Sequence, residues 1–394
     1  MANENNDILK LINEIEKCIK DASSRVSDIG LQSGLVGFSL FLYYKYLLTG
    51  DDSDFESIGK YLDDAILKLD ENYSSFHIHN EITELGIVLS HYVEKGIIEI
   101  EHVEEILTQI DEMIAAFFEE KIKVGDLDLT LGFPALGAYF IKRKNFRFKE
   151  LFVFSLLKIE ELSKISELGV YWEFDMREKS EPIVEISFGH GVAGIIFYLT
   201  LLYENNIEII KTKELIEEAI KFLDNQKIRN PKVSLFNFKA FSTETLEYQN
   251  LAYGEIGIGY AVLRAGKALK INALIEDGVS ILLHASKYRD DKKIIIKDAN
   301  IIYGASGLYA FFENISLDFP EKSFKEAAEY WYNTIYSYRD EKRYPQWAGF
   351  AAYFNQSIES THLGFSQGIA GIGTCLISKH LKIKHEYLSF FNFF

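Results

Sequence analysis

Apolar residues in this chain fall into two alternating kinds of segment. One kind is apolar nearly all round: LVGFSLFLYYKYLL from residue 35, ELGIVLSHYV from 84, FPALGAYFI from 133, GVAGIIFYLTLLY from 191, EIGIGYAVLRAG from 255, ASGLYAFFENI from 305 and GIAGIGTCLIS from 368. Segments of this length with no polar face predict helices buried within a double layer. The other kind is charged and amphipathic, as in 7–20, 53–70, 101–121, 211–224 and 321–338. Their apolar residues recur at three- and four-residue spacing, which predicts outer helices. Strand signals are weak throughout.

Each apolar run opens on a small-residue motif, roughly G-x-x-G. The copies are Gly34/Gly37, Thr83/Gly86, Gly132/Ala135, Gly191/Gly194, Gly254/Gly257, Gly304/Gly307 and Gly368/Gly371. Their spacing of about 50–65 residues fits one helical hairpin per repeat. Glycine in a helix costs about 1 kcal/mol relative to alanine, so its recurrence at one register calls for a local cause. Close backbone approach is one, and helix N-termini left free to face a shared cavity is another. Seven hairpins account for nearly the whole chain and predict an all-α fold, an α/α toroid with inner and outer helix layers and the motif loops gathered at one end. Residues 1–394 then form a single domain, since no Pro/Gly/Ser-rich linker interrupts the pattern. An open solenoid is the competing geometry. It usually carries polar caps, whereas here the last repeat is apolar and the chain ends in an aromatic tail, Tyr387 to Phe394, expected to dock on the barrel.

Composition narrows the function. The net charge of −17 argues against a phosphate-backbone binder and is compatible with a cationic peptide partner. Two cysteines, Cys18 and Cys375, exclude a disulfide scaffold and fit a reducing compartment. The polar start MANENNDILK has no signal-peptide pattern, and no apolar run approaches a membrane span. A soluble, cytoplasmic protein without nucleic-acid partners is expected.

The position before the first small residue of each motif, which would face the shared mouth, holds Ser33, Ile82, Leu131, His190, Tyr253, Tyr303 and Gln367. Asp128 lies four residues before Gly132, and Glu185, Glu255 and His362 lie near other copies. A histidine and an acid at such a mouth suit general acid–base chemistry. His190, Asp128, Tyr253 and Tyr303 are therefore the catalytic candidates, with Tyr248, Glu255 and Gln367 as candidate substrate contacts. Each has a structural alternative: a hydrogen-bonded structural histidine, an N-capping aspartate, packed rim tyrosines. The cluster His77, His79, Glu81 and Glu84 reads as a solvated loop, and Gly254 to Gly259 lacks the strand a dinucleotide loop needs. Neither Ser187 nor Ser306 sits in a nucleophile elbow.

Taken in order, these motifs resemble the lanthionine synthetase C-like family, the LanC-type peptide cyclases. SFGHGVAGI (187–195) is similar to that family's G-x-A-H-G-x-x-G signature, LAYGEIGIGYAVLRAG (251–266) to its W-C-Y-G-x-P-G segment, and IIYGASGLY (301–309) to its C-H-G-x-x-G-L. LQSGLVGFSLFL, DLDLTLGFPALG and LGFSQGIAGIGTCL resemble the first, third and last repeats, so the resemblance spans about residues 30–378, with Asp128 at the family's aspartate.

The resemblance implies an α/α toroid with a catalytic zinc held by the Cys of W-C-Y-G and by the Cys and His of C-H-G. Those positions are Ala252, Ile302 and Tyr303 here, so the ligands are missing and no cofactor is expected. The family's arginine falls on Tyr248. What the resemblance retains is Asp128, His190 and Tyr253. It implies a cyclase that adds Cys thiols of a ribosomally made precursor peptide to dehydroalanine or dehydrobutyrine, here without zinc. His190 would then be the base, Asp128 its orienting partner, and Tyr253 would stabilise or protonate the enolate. The alternative is a non-catalytic LanC-like protein that binds a peptide or a dehydratase. Another toroid enzyme, such as a sugar-processing one, would need two carboxylates at catalytic separation.

Overall fold

A computed structural model describes residues 2–69, 73–75, 77–174, 183–242, 249–289 and 295–394. In chain order the helices are α1 (Ala2–Ser23), α2 (Leu35–Thr49), α3 (Asp52–Lys68), α4 (Ile78–Glu94), α5 (Ile100–Val124), α6 (Phe133–Lys142) and α7 (Lys149–Leu162). A short antiparallel pair follows, β1 (Lys164–Ser166) with β2 (Gly169–Tyr171). Then come α8 (Val192–Glu204), α9 (Ile209–Asn225), α10 (Glu255–Leu269), α11 (Asn272–Lys287), α12 (Ala305–Asp318), α13 (Lys322–Ser337), α14 (Glu359–Leu363) and α15 (Ile369–Leu381).

The chain divides into two compact units, residues 1–103 with 296–394, and residues 104–295. In the first, the apolar helices α4, α2, α15 and α12 are successive neighbours, with α1, α3 and α13 behind them. In the second, α6, α8 and α10 are successive neighbours, backed by α7, α9 and α11. The apolar helices are buried almost end to end: Val192 through Leu202 of α8 and Ile369 through Ser378 of α15 are all covered. The aromatic tail docks as its composition predicts, with Tyr387 and Leu388 fully buried and Phe393 against Phe311 of α12.

Six of the seven motif copies place their first glycine at the N-cap of an apolar helix: Gly34, Gly132, Gly191, Gly254, Gly304 and Gly368. The second copy differs. Thr83 and Gly86 lie inside α4, which starts earlier, at Ile78. The glycine requirement has a local cause. At Gly191 an added Cβ would sit 2.5 Å from the Glu185 carbonyl oxygen, because the loop closes tightly on the helix start. Gly254 has φ +92°, which L side chains rarely adopt.

That closure uses up the helix N-termini. The first-turn amides donate to carbonyls of the preceding loop: in α12, Ala305, Ser306 and Gly307 N–H to Asp298, Ala299 and Asn300. In α2, Leu35, Val36 and Gly37 do the same toward Asp28, Ile29 and Gly30. Of the two causes offered for the glycines, close backbone approach is the one seen in these helices, and free N-termini facing a cavity is not. Loop carbonyls satisfy the orphan donors, so the termini hold no amides in reserve for a ligand.

Candidate active site

The loops before α6, α8 and α10, all in the second unit, are linked by main-chain bonds: Leu129 N–H to Gly189 O, 3.2 Å, and Gly189 N–H to Ala252 O, 3.1 Å. Within each loop, the residue four before the glycine accepts the N–H of the residue just before it. Asp128 does so for Leu131 (2.9 Å), Ser187 for His190 (3.2 Å) and Asn250 for Tyr253 (2.8 Å). The same turn recurs in the first unit, where Asn300 accepts from Tyr303 at 2.7 Å.

Asp128 does more than its counterparts. Its Oδ1 carries the turn, accepting Leu131 N–H and both the N–H and hydroxyl of Thr130. Its Oδ2 is thereby left for the His190 ring, 2.6 Å from Nδ1. With Nδ1–H donating to the carboxylate, Nε2 is the nitrogen with a lone pair, and it has no hydrogen-bond partner among the described residues. Both side chains remain about one-fifth exposed, so the ring is reachable. The Tyr253 ring lies beside it, with centroids 5.4 Å apart, and Phe238 lies against Tyr253 at 5.6 Å.

Burial pushes the Asp128 carboxyl up, but hydrogen bonds and charge from His190, with the Thr130 bonds, outweigh it and hold the group below the usual range. Burial pushes His190 down, yet the Asp128 hydrogen bond and charge, helped by the Glu185 charge, raise it above its usual value. Glu185 is wholly buried. Burial lifts its carboxyl, with the Ser187 hydrogen bond and the His190 charge opposing. Its Oε1 accepts the Ser187 hydroxyl at 2.5 Å, and its Oε2 has no hydrogen-bond partner among the described residues. This site therefore brings together a histidine held by an aspartate, a phenol and a second buried acid.

The other candidates are placed elsewhere. Glu255 is fully buried at the start of α10, where its Oε1 accepts the Ser234 hydroxyl and Leu235 N–H and its Oε2 the His284 ring. Tyr303 belongs to the first unit, its ring 5.0 Å from that of Phe354. Gln367, in the same unit, has a buried Oε1 without a hydrogen-bond partner among the described residues. Tyr248 lies outside the described residues. His362 ties down a loop: Nδ1 accepts Ala352 N–H, Nε2 donates to Gln356 O, and Trp347 stacks on the ring at 3.6 Å. The reading of His77 to Glu84 as a solvated loop is corrected, because Glu81 and Glu84 are on α4 and clamp the first loop. Glu81 accepts the Ile29 and Gly30 amides, and Glu84 accepts those of Leu31 and Gln32.

The positions that match zinc ligands do not fit the metal. The side chains of Ala252 and Ile302 are hydrocarbon, which offers no donor to a site that usually needs three protein ligands. Among the described residues, no three His, Cys, Asp or Glu side chains are grouped to hold a metal ion. Nor is any described helix long and apolar enough to cross a membrane.

A predominantly helical chain of buried and outer helices, with an oriented histidine at its loop ends, defines a class of helical-repeat protein. The sequence model described as "Lanthionine synthetase C-like protein" matches residues 5–391, and the chain belongs to that family. Among solved structures it is similar to "Nisin cyclase", with TM-score 0.77 and 17% identity over 99% of this chain and 97% of that one. It shares that fold, an α/α toroid. A structure titled "Crystal structure of sugar epimerase from ruminal bacterium" aligns at TM-score 0.37 and 14% identity, over 90% of this chain and 88% of that one, too loosely to bear on fold or function. No curated protein sequence matches the chain.

Proposed function

We propose that this chain is a peptide cyclase of lanthipeptide type that forms thioethers without zinc. The observation that carries the reading is the 2.6 Å contact between Asp128 Oδ2 and His190 Nδ1, made while Oδ1 holds the loop. It leaves Nε2 directed as a base. The substrate is a ribosomally made precursor peptide with Cys and dehydrated Ser or Thr residues, and a dehydratase is the natural partner.

The step balances through one proton. A free thiol has a pKa near 8.5 and is only a few per cent thiolate at neutral pH, so His190 Nε2 removes its proton. The sulfur forms a bond to the β-carbon of the dehydro residue, and the π pair moves onto the carbonyl as an enolate. Tyr253 donates a hydrogen bond to that oxygen, and the proton held by His190 returns to the α-carbon. Asp128 balances the imidazolium in between.

Hydrocarbon side chains at 252 and 302 favour a second reading, a non-catalytic binder of the precursor or of a dehydratase. One experiment separates the two. A dehydrated Cys-containing peptide is incubated with chelator-treated protein, and residual thiols are alkylated and counted by mass spectrometry. Cyclisation leaves the mass unchanged and removes alkylation sites. The proposal expects loss of thiols with wild type and none on the same timescale with His190→Asn. Equal rates would defeat the assignment of His190. Binding without turnover in wild type would establish the second reading.

A further inference from the structure

Beside the Asp128–His190 pair, the second unit holds another carboxylate–imidazole pair, Glu255–His284, which the reaction above does not use. Glu255 Oε2 is 2.6 Å from His284 Nδ1. On the far side of the ring, Nε2 faces the Tyr288 hydroxyl at 3.3 Å. The other oxygen of Glu255 reaches across to a different segment, accepting the Ser234 hydroxyl at 2.9 Å and the Leu235 N–H.

Ser234 and Leu235 begin a strap whose other end is also fixed. Ala240 N–H donates to Val184 O at 2.8 Å, within an isolated antiparallel backbone pairing of residue 239 with residue 185. Between the two anchors the strap turns Phe238 onto the Tyr253 ring. Asn237 donates through Nδ2 to Ser242 O at 2.6 Å, so its Oδ1 orientation is set, and that buried oxygen has no hydrogen-bond partner among the described residues. Asn237 and Phe238 line a small cavity together with Ser187 and Gly254, which belong to the loops before α8 and α10. The Asn237 oxygen has no solvent access and the cavity it lines has room for about one water, so Asn237 fixes the strap and does not contact a peptide.

We propose that residues 234–240 are the wall that receives the precursor peptide next to His190, and that Glu255 and His284 are positioning residues that latch it. Phe238, half-buried beside the Tyr253 ring, supplies the apolar contact. The site so defined is that of the proposed cyclase, but the latch is testable without turnover.

The test compares His284→Leu with His284→Asn in the full chain. Asn Nδ2–H sits where the ring Nδ1–H does and keeps the bond to Glu255, whereas Leu loses it. Amide exchange of Leu235 and Phe236 should quicken about tenfold in His284→Leu, the loss of one charge-assisted hydrogen bond. It should return toward wild type in His284→Asn, with α8 amides unchanged in both. With the dehydrated peptide, His284→Leu should raise KM several-fold and leave kcat within a factor of two. If the chain proves non-catalytic, the Kd of the same peptide should rise instead. Phe238→Ala should raise the same constant in a chain whose latch is intact. Unchanged exchange at 235–236, or exchange that quickens equally throughout the unit, would overturn the latch. Peptide constants unmoved by Phe238→Ala would overturn the wall.

Discussion

At the scale of single residues, the candidate site rests on a division of labour within one carboxylate. Oδ1 of Asp128 does what Ser187, Asn250 and Asn300 do in their own loops, and Oδ2 alone is left to orient His190. Removing the base should therefore cost most: His190→Asn is expected to slow thioether formation by about 10²–10⁴-fold. Asp128→Asn keeps an oxygen for the turn and loses the charge, so its effect should be smaller, and Tyr253→Phe, which removes one hydrogen bond, smaller again. Rates of thiol loss on a dehydrated peptide check the order. Asp128, His190 and Tyr253 were legible in the sequence because the repeat register lines them up against the glycines. The polar acceptor four places before the glycine was equally readable, as Asp128, Ser187, Asn250 and Asn300, but emerges only when the loops are compared position by position. His284 left no such trace, because its partner lies on the adjoining helix α10, 29 residues earlier.

At the scale of elements, the motif loops explain both the glycines and the exception among them. Gly191→Ala would press a Cβ against the Glu185 carbonyl and is expected to destabilise by roughly 1–3 kcal/mol, read as a fall in Tm with little change in helix content. The alternation of apolar and amphipathic segments announced nearly every helix, since burial alone sets that pattern. The second copy misled, because α4 begins before its motif and uses its first turns to clamp the neighbouring loop through Glu81 and Glu84. Burial lifts the Glu84 carboxyl to about 7, against the lowering bonds from Gln32 and Leu31. The unfolded chain releases that proton near pH 4.3, so the folded state binds one proton more between about pH 5 and 7 and loses stability as pH rises through that window. Glu84→Gln should remove this decline. Thermal unfolding of both proteins at pH 5 and pH 8 decides it, and a wild-type Tm that climbs over that interval as steeply as in the variant would contradict the account.

At the scale of the whole molecule, the chain keeps the toroid fold of its family and a histidine–aspartate pair, while hydrocarbon side chains stand at 252 and 302, where the resemblance puts zinc-binding cysteines. The fold was legible because it is carried by periodicity. The reading of chemistry was narrower, because hydrogen-bond direction and burial decide which acids serve the site and which hold loops. The central claim is that thiol activation here is done by His190, oriented by Asp128. Burial lowers the His190 pKa, but the Asp128 hydrogen bond and charge outweigh it and hold the pKa above its ordinary value, so the base should be active only as pH rises past that raised value. Losing the charge in Asp128→Asn should move the midpoint down. The most direct measurement is the pH profile of thioether formation by chelated protein whose metal content is checked in the same samples. The account predicts turnover at far less than one zinc per chain, rising with pH through a midpoint above that of an ordinary histidine in wild type and a lower one in Asp128→Asn. Turnover that appears only with stoichiometric zinc, or a midpoint that does not move in Asp128→Asn, would contradict it.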